Sequence, residues 1–404
     1  MQIKKSATVI AVVGFTLAGL AISTIPANAF DPVSNGYAVV GSDTLEDVVG
    51  ALVNGSSVTG TGVRTTASDS STLGSFDATG TGTIITKPYG IRFQRPNGSG
   101  DGRTALKAQI AGTAYTSTYG SRDTNYNAIS LTNTPIDITR GSSGGTLDST
   151  ATGVLGRYTF GRDAIAFAYG ASVTPGANGY ISTADMKLIF QCDQPTLDAF
   201  NIQYAVVPQS GSGTRSDWSS KLGLSTTVGS TTTEYAWPTT ANGTFGTGSL
   251  SCIKIGQEHD ASTLGAREVM PMSASRWIAM KNKVSYDKSG SAALGSLVSG
   301  TASVAANSGV YTPVVSYYKD STWGRNTYLF VDKRRVDSTN AKFDAVLKAL
   351  FDYNDETSLT YQGGALFDYA GMTSVPSFGA YTSAAVKLKF GFLPSDVQDF
   401  QTAK

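Results

Sequence analysis

Residues 207–218 read Val-Pro-Gln-Ser-Gly-Ser-Gly-Thr-Arg-Ser-Asp-Trp, so Ser210, Gly211, Ser212, Gly213, Thr214 and Arg215 put hydroxyls, backbone freedom and a guanidinium into one turn. The apolar run 204–207 before it reads as a strand, and the polar residues after it read as a helix start. Glycine lets a backbone come close to a ligand. The first N–H groups of a helix have no partner within the helix, and together with the helix dipole they favour negative charge. This chemistry suits holding an oxyanion. The same composition recurs upstream, in Gly41-Ser42-Asp43-Thr44, in residues 95–102 around Ser99 and Gly100, and in residues 140–145 with Arg140, Ser142 and Ser143. One such turn by itself is equally an ordinary tight connection with a helix cap. Their repetition at strand ends favours binding.

Other chemistries fit less well. The glycines at 98, 100 and 102 lack the alternating acids of a calcium loop and the Lys-Ser/Thr of a phosphate-binding P-loop. Ser210-Gly211-Ser212-Gly213 is not a nucleophile elbow, and the single histidine, His259, gives a serine triad little room. Between Glu258 and Asp260, His259 reads more readily as a hydrogen-bonded structural group than as an acid–base catalyst. Two distant cysteines and one histidine make no zinc spacing. Lys333-Arg334-Arg335 reads as a solvated face, and Trp218, Trp237, Trp277 and Trp323 as core or cleft-lining residues.

The first residues form a different class of segment. Lys4 and Lys5, an apolar run over residues 9–22 and Ala27-Asn28-Ala29 have the order of a secretory signal peptide, with cleavage after Ala29. Its removal takes the formal charge from +1 to −1, because the segment holds two lysines and no acid. A near-neutral chain offers no long-range field for nucleic acid or an anionic membrane, so any anion site must be local. No cysteine follows at a lipid-attachment position, and the mature chain is expected to be secreted or held at the cell surface. Cys192 and Cys252 are the only cysteines. In an exported chain such a pair is expected to form a disulfide, worth about 4 kcal/mol by loop entropy.

Positioning the turns requires strands at residues 37–40, 84–85, 91–93, 136–139, 163–169 and 328–331. Helical spacing follows at Leu45, Val48, Val49 and Leu52, at Leu106 and Ile110, at Met186, Leu188, Ile189 and Phe190, and at Phe343, Val346, Leu347, Leu350 and Phe351. Ser42 or Asp43 is a natural N-cap for the first of these helices. Residues 54–82 and 226–251 are rich in Gly, Ser and Thr, and the small, polar stretch 289–308 suggests a crossing back. Alternating strands and helices with glycine turns at strand ends predict an α/β fold with open sheets, ligand at the carboxyl ends of the strands.

In this order and spacing the chain resembles the phosphate-type substrate-binding proteins of ABC importers, especially longer exported actinobacterial relatives. The likeness rests on Gly41-Ser42-Asp43-Thr44 before Asp47-Val48, on residues 95–100, and on Ile136-Asp137-Ile138 before Arg140. Residues 160–166, the 209–214 turn and Glu258-His259-Asp260 complete it. The resemblance implies a two-domain α/β fold of the periplasmic-binding-protein type, with a hinge and an interdomain ligand cleft. The expected division is residues 1–29 as signal peptide, 30–160 with 290–404 as a first domain, and 161–289 as a second. By position it implies ligand contacts from Ser42, Asp43, Thr44, Ser99, Gly100, Ser142, Ser143, Ser212, Gly213 and Thr214, with no metal, cofactor or catalytic residue. The chain departs from the family at Pro208, where phosphate-binding members carry Arg, and at Ser142-Ser143, where they carry an acid. Arg140 and Arg215 are expected to supply the cation and Asp43 or Asp101 the acceptor. The partners implied are phosphate or a related oxyanion and a transporter permease, for a monomer that binds no nucleic acid. The alternative is a secreted or surface interaction protein that kept the fold and lost the ligand. A phosphoester hydrolase would need a nucleophile and base that these turns do not provide.

Overall fold

A computed structural model of the chain describes residues 34–117, 124–150, 152–224, 252–364 and 367–404. The signal segment and the Thr/Gly-rich stretch 226–251 lie outside these residues, and so does Trp237.

The apolar run at residues 37–40 becomes strand β1 (Tyr37–Gly41), buried throughout. Its side chains alternate between two cores, as a pleated strand requires. Tyr37 and Val39 pack with Leu45, Val48, Leu52 and Ile138, while Ala38 and Val40 pack with Phe76, Phe93 and Leu106. Helix α1 (Glu46–Asn54) covers the first face and α2 (Ser99–Ala111) the second. Strand β1 lies between β2 (Leu73–Ser75) and β3 (Ile138–Gly141), parallel to both.

A second parallel wing is built from β5 (Tyr204–Pro208), β6 (Ile253–Gly256) and β7 (Glu268–Ser273), with β5 between the other two. The wings are joined by long antiparallel strands. β4 (Leu155–Tyr169) is 15 residues long and almost wholly buried. Its Leu155–Ala164 portion pairs with β9 (Gly324–Asp332), and Ile165–Tyr169 pairs with β7. β9 in turn pairs with β3. Short strands β8 (Ala293–Gly295) and β10 (Phe400–Ala403) add antiparallel edges to β4. The sheet thus runs β6-β5-β7-β4-β9-β3-β1-β2. The architecture is α/β, as expected from strands that alternate with helices.

Two details differ from the sequence reading. The chain returns from the second wing through β9, whereas residues 289–308, where composition suggested the crossing, stay at the β8 edge of β4. The helix expected over residues 343–351 is confined to Ala345–Ala349, because Asp344 caps it and leaves Phe343 outside, partly exposed. The second wing packs helices α3 (Thr183–Phe190), α4 (Gln194–Ala199), α5 (Gly213–Leu222) and α6 (Ala274–Lys281). Trp218 of α5 sits in that core against Phe190 and Trp323, ring centroids 5.4 Å away in each case. Cys192 and Cys252 form a disulfide, tying the end of α3 to the start of β6. Among the described residues no helix is long and apolar enough to cross a membrane.

Candidate anion site

Three of the four predicted turns meet in direct contact. Gly98, at φ +111°, precedes α2, and a Cβ there would lie 2.4 Å from the Gly211 carbonyl oxygen. Only glycine allows that approach, which lets the Gly100 N–H donate to Gly211 O at 3.0 Å. The Ser142 N–H donates to Ser99 Oγ at 2.9 Å, and the two hydroxyls are 3.0 Å apart. Gly213 closes on both, for a Cβ on it would stand 2.3 Å from Ser142 Oγ and 2.4 Å from Ser99 Oγ. The N-termini of α2 and α5 and the end of β3 therefore converge at Ser99, Ser142 and Gly213. Ser212 caps α5 by accepting from the Arg215 N–H at 3.0 Å.

The first turn is placed differently. Ser42, Asp43 and Thr44 are buried, and the Ser42 N–H donates to Arg140 O at 3.0 Å. Asp43 faces a polar cluster below the turns. His259 Nδ1 lies 2.9 Å from its Oδ1, and Arg276 of α6 approaches Asp43 at 3.8 Å and Glu46 at 3.3 Å while also pairing with Asp47. Burial would lower the His259 pKa, but Glu258 and Asp43 outweigh it and the net shift is upward. Burial likewise opposes ionisation of Asp43, and His259 and Arg276 overcome it to hold the carboxyl low. Asp43 is thus engaged with a histidine and an arginine. Asp101 is engaged as well, accepting from the Asn97 N–H at 3.1 Å and from Ser117 Oγ. The hydroxyls of Ser42 and Thr44 and the Nε2 of His259 are buried with no hydrogen-bond partner among the described residues, a state that costs about 1–3 kcal/mol per group.

Arg140, read from the sequence as a ligand cation, has its donors turned inward. Its Nε donates to Ser42 O at 3.1 Å, Nη1 to Ser75 Oγ at 2.5 Å and Nη2 to Phe76 O at 2.6 Å. The side chain is fully buried and staples β3 to β1 and β2. Thr214 is also drawn away, its Oγ1 accepting from Arg325 Nη2 at 2.9 Å. Arg325 itself is fixed by Asp163 at 2.9 Å and Asp217 at 3.2 Å.

Beside the contact of the turns lies a cavity of about 310 Å³. It is lined by Gly100, Arg103, Ser143, Ser210, Gly211, Ser212, Arg215 and Ser216, and among these described residues there is no Asp or Glu. Arg103 Nη1 donates to Ser143 O at 2.9 Å, and its guanidinium lies 5.3 Å from the centre of the Phe330 ring. Burial lowers its pKa, with Asp217 opposing. Arg215 Nη1 donates to Pro208 O at 3.0 Å, and burial lowers this pKa to about 10. Both guanidiniums are charged at neutral pH. Two cations, four serines and two helix starts lining one cavity favour a doubly charged oxyanion, and arginine suits bidentate contact to a phosphoryl group.

Of the residues singled out in the sequence, Gly100, Ser143, Ser212 and Arg215 line this cavity, with Ser210 and Gly211. Ser99, Ser142 and Gly213 form the contact next to it, while Ser42, Asp43, Thr44, Arg140 and Thr214 line no part of it. Arg103 was missed. The available signal was its spacing, four residues after Ser99 on α2, which puts both on one helix face.

No protein-family model matches the chain, and none of the curated proteins matches it. Solved structures with a similar outline include an ABC-type phosphate transport receptor from Vibrio cholerae, at 15% identity and TM-score 0.39 over 78% of this chain and 93% of that one. A high-affinity periplasmic phosphate-binding protein bound with phosphate gives 12% identity and TM-score 0.42 over 89% and 90%. A human phosphate-binding apolipoprotein gives 14% identity and TM-score 0.41 over 89% and 91%. At such scores no residue of this chain can be paired with one of theirs.

Proposed function

We propose that the protein is an exported solute-binding protein that captures phosphate or another oxyanion-bearing solute and passes it to an ABC importer. The observation that carries this reading is the acid-free cavity at the starts of α2 and α5, with Arg103 and Arg215 on its wall. Affinity would come from charge-assisted hydrogen bonds made away from bulk water, with no catalytic step. In this reading β4 and β9 are the crossing strands of a hinge, and the division expected from the sequence, 30–160 with 290–404 against 161–289, has its second boundary moved from 290 to β9. A fall in radius of gyration on adding ligand, read by small-angle scattering, is the expected sign, and an unchanged radius would remove the hinge.

One observation favours the alternative of a secreted interaction protein that lost its ligand: Ser99, Ser142 and Gly213 pack against one another where the predicted turns converge. Isothermal titration of the mature chain with phosphate, and with sulfate as control, separates the two. Micromolar or tighter binding of phosphate supports the receptor. No heat from either ion, nor from a phosphate ester, favours the interaction protein.

A further inference from the structure

We infer that the solute is a phosphomonoester of a hydroxylated organic group, its phosphoryl end between Arg103 and Arg215 and its hydroxylated part in a second, adjoining cavity. This rests on the anion reading above and names the class of solute. The second cavity has a volume of about 510 Å³ and shares Ser143 with the first. The cavities also meet along α5, where Ser216 faces the smaller and the next residue, Asp217, the larger.

Size argues against a bare ion. At about 30 Å³ per water, a phosphate ion with its five heavy atoms takes roughly 150 Å³ at most. The smaller cavity, at about 310 Å³, exceeds that, and ligand pockets bury most of the surface of what they hold. Inorganic phosphate would leave the larger space to water.

The pairing of charges tells the two compartments apart. The smaller carries two guanidiniums and no lining acid among the described residues. The larger brings Arg162, Lys221, Lys319 and Arg325 together with Asp217 and Asp396. Its cations are already engaged. Arg325 is paired with Asp217 and, behind the wall, with Asp163. Arg162 donates to Tyr318 O at 2.5 Å and Asn326 Oδ1 at 3.0 Å, with Asp396 at 3.9 Å. Lys319 donates to the carbonyls of Tyr369, Ala370 and Met372 at 2.8–3.2 Å, and Lys221 donates to Thr322 O. A second anionic group would have to displace these contacts. Neutral hydroxyls would not, because the carboxylates of Asp217 and Asp396 can accept further bonds beside those from Arg325 and Asn326, and the Asn326 amide, which also lines the cavity, has a second N–H to donate. Two guanidiniums with no acid on the described wall, beside a compartment whose cations are held by carboxylates and carbonyls, match an ester with one charged end.

The test is titration of the mature chain with inorganic phosphate, glycerol 3-phosphate, glucose 6-phosphate and glycerol. At least one ester is expected to bind ten times or more tighter than phosphate, and glycerol alone not at all. Asp396→Asn lies at a half-exposed site where folding is tolerant, and Asp217→Asn probes the same compartment closer to Ser143. Each should weaken the ester by about tenfold, the loss expected when a hydroxyl loses a charged acceptor, and leave the phosphate Kd within about twofold. Arg103→Met should weaken ester and phosphate together. If phosphate binds as tightly as either ester, or if both Asp variants weaken phosphate and ester equally, the inference is overturned and the anion reading stands. If neither phosphate nor ester binds, the anion reading falls and takes this inference with it.

Discussion

Replacing Arg103 with Met separates binding from folding. The side chain lends one donor to the Ser143 carbonyl and packs over Phe330, and burial already disfavours its charge. Methionine keeps much of the packing and removes the charge, so the ligand-free protein should unfold at the same temperature or slightly higher. Binding should suffer. A charge-assisted hydrogen bond to an anion is worth about 1.5–3 kcal/mol, which is roughly a ten- to hundredfold loss of affinity. Thermal unfolding measures both effects at once. Ligand at 100 times its Kd stabilises by about 2.7 kcal/mol, and a variant bound a hundredfold more weakly would retain only about 0.4 kcal/mol at the same concentration. At about 2 °C per kcal/mol for a chain of this size, a ligand-induced rise in Tm of roughly 5 °C should shrink to below about 1 °C. Arg140→Met is the contrast. Its donors hold Ser42, Ser75 and Phe76 inside the sheet, so this variant should lose about 3 kcal/mol or more of stability while whatever folds keeps its ligand shift. A full ligand shift in Arg103→Met would refute the placement of the anion, and loss of the shift in a stably folded Arg140→Met would return the ligand to the position first read from the sequence.

The buried cluster around Asp43 predicts a pH dependence of stability. Burial, with Asp43 beside it, raises the Glu46 carboxyl to about 7, and the His259 pKa is raised as well. Both groups hold protons in the folded state at pH values where the unfolded chain has released them, so stability should fall as pH rises from about 5 through 7 and beyond. Asp43 works the other way, since its lowered pKa contributes stability above about pH 4 that is lost only in stronger acid. Urea midpoints are expected to decline from pH 5 to 8.5 and to decline less in Glu46→Gln; midpoints that rise over that range would contradict the cluster. Removing the disulfide in a Cys192→Ala/Cys252→Ala variant should cost up to about 4 kcal/mol, read as a lower urea midpoint, and a midpoint unchanged within error would mean that the unfolded chain is already constrained there.

The residues that announced the fold were those whose pattern is decided locally. Tyr37–Gly41 and Tyr204–Pro208 are short apolar runs ending in glycine or proline turns, and such runs have little choice but to be buried strands. The turns at 98–100 and 211–213 were legible for the same reason, because a glycine that must sit against another backbone leaves a mark in the sequence. What the sequence could not carry was the partner of each polar group. Arg140 stands between a strand and a Gly-Ser-Ser turn and looks like a ligand cation, yet its fate is decided by Ser75 and Phe76, more than sixty residues away. Arg103 looks like any exposed helix residue until Ser143 and the start of α5 arrive to make a wall. Glycine and hydroxyl patterns therefore locate a candidate site, while charge assignment within it depends on which carbonyls and carboxylates the tertiary fold brings first. The same logic bears on the family departures at Pro208 and Ser142-Ser143. The Pro208 carbonyl accepts from Arg215, so in the proposed reading the cation expected at 208 comes from seven residues further on, inside α5. The acid missing from the third turn has no replacement on the described wall of the smaller cavity. In the proposed reading, a site with its cation moved onto the helix and no acid on its described wall has exchanged fit to a small hydrogen phosphate ion for room to hold something attached to it.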